Sequence, residues 1–235
     1  MKRMMSKTLI IFHIDSQSWQ SILSRDINKA DQSLTRRNNH MANSKRLPAF
    51  EKFIEDIRFS WAELSDTEAR MKKVQVLLEK LVNDPTMREH AKTWPSTEGY
   101  KNLLLYEDPD YNFVVNAVVR TPGRDGRIHD HAHAWTAYGV LDGTERLERY
   151  RRVDDGKREN YALLQLESLT EGYPGKVDLV PPFAIHSEKG GPARSVAVIV
   201  RSERLVGKTL QGRYDAKTDQ FQQGQGPTQV PFEVA

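Results

Sequence analysis

The sequence predicts a mainly β barrel or sandwich with a helical layer in front of it. Three observations carry this. Apolar residues between positions 50 and 82 recur at helical steps. After Trp94-Pro95 the chain breaks into short apolar runs at near-regular spacing. Turn signals such as Asp108-Pro109, Pro122-Gly123, Asp142-Gly143 and Asp155-Gly156 separate those runs. No internal repeat is visible.

Taken in order, Phe50, Phe53, Ile54, Ile57, Trp61 and Leu64 fall on one face of a helix that begins at Pro48. Ser65-Asp66-Thr67-Glu68 reads as a capping box that opens a second helix. Its stripe is Met71, Val74, Leu77, Leu78, Leu81 and Val82, and Asn83-Asp84-Pro85 ends it. A third, shorter helix is expected from Thr86 to Thr93. Strands are expected at Phe113–Val119, Ala134–Leu141, Leu147–Tyr150, Leu163–Leu166, Val177–Val180 and Ser195–Arg201. The Gln-, Gly- and Pro-containing end, from Gln220 on, reads as a loose wrap over the barrel.

The chain has 235 residues, enough for one domain with a real core. Residues 1–46 are polar and aperiodic and read as a disordered or non-native extension, with Met41 an alternative start. Residues 47–95 form the helical layer and residues 96–235 the barrel. The absence of cysteine excludes disulfides, thiolate metal sites and cysteine nucleophiles, and suits a cytoplasmic protein. With 35 basic and 32 acidic residues, the net charge of +3 is too small and scattered for a nucleic-acid footprint. No apolar run approaches the roughly 20 residues of a membrane span.

Of seven histidines, three crowd into Ile128-His129-Asp130-His131-Ala132-His133. On a strand, alternate residues share a face, and two imidazoles on one face can chelate a metal if a third ligand comes from elsewhere. His186, after Pro181-Pro182-Phe183-Ala184-Ile185, is the natural third. His13, His40 and His90 lie outside the barrel.

The wider spacing resembles the two motifs of the cupin barrels. Gly123, five residues, His129, one residue, His131, four residues, Thr136, six residues and Gly143 match the first. Gly175, five residues, Pro181, four residues and His186 match the second. The resemblance implies a cupin-type double-stranded β-helix, or jelly roll, with His129, His131 and His186 as metal ligands. The usual fourth ligand, a glutamate, is Thr136 here. Three neutral imidazoles suit ferrous iron, Fe(2+), or another imidazole-binding divalent metal.

Within the cupins the chain resembles the cysteine dioxygenase type I family, including 3-mercaptopropionate dioxygenases. That resemblance rests on Ile128-His129-Asp130-His131, on the helical layer before the barrel, and on Leu105-Tyr106 before Phe113. Gly212-Arg213-Tyr214-Asp215 is similar to a C-terminal stretch of related proteins. It implies a mononuclear non-heme iron dioxygenase acting on a small molecule with O2. Three departures are evident. Thr136 replaces the crosslinking cysteine, Ala197 and Ile199 replace the histidine and tyrosine of a Ser-x-His-x-Tyr triad begun by Ser195, and no arginine stands near Tyr106-Glu107. The alternative is a non-redox metal-dependent cupin: an isomerase, a lyase or a small-molecule binding protein.

Other candidates follow from position. Asp130 should face away from the two ligands and act as a surface carboxylate or orient an imidazole. His133 shares the ligand parity and reads as a pocket-lining catalytic group rather than a fourth ligand. Tyr138 is placed to offer a phenol to oxygen or substrate, although core packing is the commoner use. Arg120 and Arg201 end predicted strands and are candidates for an anionic substrate group, with a surface ion pair the default for each. Expected partners are a small-molecule substrate and O2, with a homo-oligomer left open and neither nucleic acid nor membrane.

Overall fold

A computed structural model describes residues 46–235. The readings placed on residues 1–45, including Met41, His13 and His40, lie outside the described residues.

Among the described residues, three helices come first: α1 (Pro48–Glu63), α2 (Thr67–Val82) and α3 (Pro85–Ala91). Proline at the first turn of α1 gives up only an N–H that would have no helical partner. The cap of α2 is Asp66, not Ser65; its carboxylate accepts from the Ala69 backbone N–H at 2.7 Å. Asp84 caps α3 in the same way. The predicted stripes of α1 and α2 are buried, except that Leu64 is a half-buried cap.

Twelve strands follow. They are β1 (Lys101–Glu107), β2 (Val114–Arg120), β3 (Ile128–His129), β4 (Thr136–Asp142), β5 (Glu145–Arg152), β6 (Leu164–Gly172), β7 (Val177–Val180), β8 (Ile185–Gly190), β9 (Ser195–Arg201), β10 (Gln211–Asp215), β11 (Gln220–Gly224) and β12 (Thr228–Pro231). One sheet has the order β12-β1-β2-β9-β4-β7, the other β11-β10-β3-β8-β5-β6. The antiparallel pairs are nested: β5 with β6 innermost, then β4 with β7, β3 with β8, and β2 with β9. Successive pairs alternate between the two sheets, so one long hairpin is wound into a barrel. The fold is a cupin-type double-stranded β-helix.

Alternation along the first sheet separates two interiors. Val115, Ala117, Val119, Val196, Val198 and Val200 pack against the helices. Tyr138, Val140, Ala197 and Ile199 pack inside the barrel with Leu147 of the opposite sheet. The C-terminal stretch is more ordered than its composition predicts. β11 pairs with β10, and β12 runs parallel to β1, so both sheets gain partners at one edge. Leu47 then donates its N–H to Val234 O, tying the start of the helical layer to the end of the chain.

The helical layer sits directly on backbone at Gly139 of β4. A Cβ there would lie 2.9 Å from Leu78 Cγ and 2.9 Å from Val82 Cγ1 of α2. Glycine to alanine inside a strand ordinarily stabilises. Here the overpacking term dominates, and Gly139→Ala should cost about 1–3 kcal/mol. A urea titration checks this: the midpoint should fall with an unchanged slope, and an equal or higher midpoint would contradict the seating of α2.

Candidate metal centre

His129 and His186 stand opposite each other in the β3–β8 register. His131 follows two residues after His129, beyond the end of β3. The ligand atoms of the three lie within 4.8 Å of one another. Ring centroids are 4.4 Å apart for His129–His186, 4.7 Å for His131–His186 and 4.8 Å for His129–His131.

Hydrogen bonding assigns the tautomers. His129 Nδ1 donates to Arg127 O at 2.8 Å, and His186 Nδ1 donates to Ala184 O at 2.9 Å. A carbonyl only accepts, so both Nδ1 atoms carry the proton. In a neutral ring each Nε2 is then a bare lone pair. Arg201 Nη2 lies 3.3 Å from His131 Nε2, which is therefore an acceptor as well. Burial, helped by the neighbouring His186, holds His129 down to about 4. Burial and the Arg201 charge hold His131 well below the usual imidazole range. Both rings are neutral at pH 7.

With the His186 ring also neutral, three Nε2 lone pairs converge, the one on His131 facing Arg201 Nη2 as well. His129 Nε2 and His131 Nε2 are 3.0 Å apart. Two atoms bound at right angles to one ion at about 2.1 Å would be separated by about 3 Å. The cluster fits a divalent metal, and neutral imidazoles bind it without losing a proton.

Asp130 has a structural task. Its carboxylate accepts from Ala132 N at 2.8 Å, Gly212 N at 3.0 Å and Tyr214 Oη at 2.9 Å. It is buried, not on the surface. It ties the ligand segment to β10, and a Cβ on Gly212 would meet Asp130 Oδ2 at 2.1 Å. The Gly212–Asp215 segment is therefore the clamp that sets His129 and His131.

His133 is not brought to the site. Strand parity holds only while the chain is extended, and Ala132 turns it, with φ of 47°. His133 is exposed and faces Glu203 at 3.1 Å. Tyr138 and both arginines do reach the cavity beside the histidines, which has a volume of about 460 Å³. Tyr138 donates to Glu145 Oε2 at 2.6 Å, and Arg120 Nη1 bonds Glu145 Oε1 at 2.9 Å and Tyr138 Oη at 2.5 Å. Burial pushes the Tyr138 phenol well above its usual range, so it stays protonated.

The two arginines differ. Burial alone would lower Arg120, but Tyr138, Glu145 and Glu188 outweigh it and hold the guanidinium above its usual range. Arg201 is 3% exposed, has no carboxylate within ion-pair distance among the described residues, and leaves Nε without a hydrogen bond. Burial pulls it down to about 10, and more distant Glu188 and Tyr100 offset this only in part. Sequence reasoning did not separate them, because their partners arrive from other strands. It also missed Glu188, whose signal was its position two residues after His186. Missed too were Lys101, Arg124, Arg127 and Arg213, which line the same cavity.

No family model matches the chain, and no curated protein matches it. Among solved structures it is similar to an uncharacterized conserved protein with a double-stranded β-helix domain from Klebsiella pneumoniae, at 17% identity and TM-score 0.35, covering 48% of this chain and 80% of that one. It is similar to the Cnp3 cupin domain of Schizosaccharomyces pombe, at 12% identity and TM-score 0.35, covering 44% and 60%. It is also similar to an oxalate oxidase in complex with glycolate, at 18% identity and TM-score 0.36, covering 47% and 53%. The chain thus spans less than two thirds of the latter two. The architecture assigned above rests on the strand pairing of this chain and not on these likenesses. Nothing in them supports the cysteine dioxygenase family specifically; what the chain shows is the cupin barrel.

The depressed imidazoles make metal-free stability depend on pH. Between about 4 and 6.5 the unfolded chain binds protons at His129 and His131 that the folded chain refuses. Their contribution is present above pH 6.5 and is lost as pH falls toward 4. In chelator, the urea midpoint of the wild type should fall between pH 7 and pH 5 more steeply than that of the His129→Gln/His131→Gln variant. Equal slopes would contradict the neutral cluster.

Proposed function

We propose that the protein is a mononuclear metal-dependent dioxygenase that takes a small anionic organic molecule and O2, with iron as the metal. The observation that carries the reading is the pairing of two features: three converging imidazole nitrogens, two of them on the cavity wall through His129 and His131, and on the same wall a buried guanidinium, Arg201, with no carboxylate within ion-pair distance among the described residues. A ferrous ion held by His129, His131 and His186 would supply a point where substrate and oxygen meet and the electrons that activate the oxygen.

The chain's own residues do the rest. Arg201 would grip the acid group of the substrate beside the metal centre, where an unpaired buried charge most needs an anion. Lys101, Arg124, Arg127 and Arg213, against Asp125 and Glu188, make the cavity net cationic and attract anions toward it. Val118 and Ile199 line the wall and keep water off the reacting end. Tyr138 is held by Arg120 and Glu145, so it shapes the wall and its proton is committed.

A second reading, a metal-dependent lyase or isomerase, is favoured by one observation. Where the thiol dioxygenases have a histidine and a tyrosine, this barrel has Ala197 and Ile199 in an apolar cluster. Zinc should support that chemistry and not the first.

Oxygen uptake by iron-loaded protein, screened over small carboxylic acids bearing thiol, hydroxyl or apolar chains, tests the proposal. Uptake should favour bulkier apolar acids over cysteine. Arg201→Gln should raise KM about 10- to 100-fold, the worth of a charged hydrogen bond. No uptake with any acid at full iron occupancy would contradict the proposal.

A further inference from the structure

The cavity holds one more ligand-type side chain. Glu188 lies two residues beyond His186 on β8, so both side chains point into the barrel. It is 6% exposed and lines the cavity. Glu188 Oε1 is 3.3 Å from His186 Nε2, the nitrogen that the Nδ1–Ala184 bond leaves bare and that has no hydrogen-bond partner of its own. Glu188 Oε2 faces Arg120 Nη2 at 3.7 Å, and Arg120 is already committed through Nη1 to Glu145 and Tyr138. Both separations exceed the roughly 2.7–2.9 Å of a charge-assisted hydrogen bond.

With the His186 ring neutral, as a metal ligand must be, a buried carboxylate faces a bare imidazole nitrogen, two acceptors with no proton to share. Such an arrangement is costly unless a cation lies between them. Thr136, where the first cupin motif ordinarily carries its carboxylate, does not line the cavity, and its hydroxyl is buried without a partner.

We propose that Glu188 is the fourth protein ligand of the metal centre, so that the carboxylate missing from the first motif is supplied by the strand of the second. The proposal rests on the metal-centre reading above. It changes the chemistry in two ways. A carboxylate lowers the charge of the centre by one and adds a hard oxygen donor, which suits iron or manganese better than a thiophilic metal. Six-fold coordination would then leave two positions for substrate and oxygen instead of three. Arg120 becomes the positioning residue that faces the second carboxylate oxygen.

Cobalt(II) binding, followed by chelator competition and by the visible spectrum of the bound ion, tests this on the full chain. Wild type should take up one equivalent, and His131→Ala should lose it. Glu188→Gln should bind at least tenfold more weakly, with a changed spectrum, while its metal-free form resists urea at least as well as wild type. Glu188→Asp, which keeps the charge but withdraws the oxygens by one methylene, should also lose affinity. If Glu188 only pairs with Arg120, Glu188→Gln destabilises the metal-free protein and leaves cobalt affinity and spectrum unchanged; that result overturns the proposal. Retained affinity in Glu188→Asp with an unchanged spectrum overturns it too, because long-range charge would then suffice. Failure of wild type itself to bind cobalt removes the metal-centre reading, and this proposal with it.

Discussion

Everything at the site depends on the register between β3 and β8. Those strands form one turn of the nested antiparallel winding, and their pairing sets His129 opposite His186. A shift of one residue would send one of the two imidazoles to the outer face of the sheet. β3 is two residues long, too short to hold its own register. Asp130 supplies what the strand lacks, gripping Ala132, Gly212 and Tyr214. Its three acceptances turn a short strand and a tight turn into a fixed platform for His129 and His131. The platform also exacts the left-handed backbone at Ala132, a strained conformation for a residue with a Cβ.

The barrel interior carries an unusual charge distribution for so small a space. One buried cation, Arg120, is fully matched by Glu145, Tyr138 and Ser195 acting as a closed network. A second, Arg201, has no carboxylate within ion-pair distance among the described residues and reaches His131 Nε2 through Nη2, while His186 Nε2 has no hydrogen-bond partner and Glu188 no close donor. Buried polar groups are ordinarily satisfied, and departures mark functional positions. The unsatisfied groups here sort by sign. Lone pairs and a carboxylate gather on one side, calling for a cation; a guanidinium stands beside them, calling for an anion. A metal ion and an acidic ligand answer both demands together.

Much of this was legible in the sequence. Motif spacing alone selected the three histidines, because the two cupin motifs record where the nested strands begin and end. The runs Val177–Val180 and Ser195–Arg201 are strands with those bounds; the second has a continuous apolar centre, Val196–Val200, and is buried along its whole length, while the first is a short run between turn signals. Other features were hidden for physical reasons. β8 reads as Ile-His-Ser-Glu-Lys-Gly, a polar run made strand-like only by its partners β3 and β5. His133 was misplaced because alternation was carried across a turn with no glycine or proline to announce it. Asp130 looked exposed because two of its partners, Gly212 and Tyr214, sit 82 and 84 residues later. The difference between Arg120 and Arg201 is a matter of which carboxylate reaches each, and single-strand reasoning has no access to that.

The central claim is that these converging acceptors hold one metal ion. Elemental analysis of the protein isolated without added metal or affinity tag tests it most directly, with His186→Ala prepared in parallel. His186 is the partner drawn from the second motif, so its loss opens the cluster while leaving β3 and the Asp130 clamp in place. The account predicts close to one equivalent of a divalent transition metal, iron foremost, in the wild type and less than about a tenth of that in the variant. Substoichiometric metal in the wild type, or equal metal in a folded His186→Ala, would contradict it.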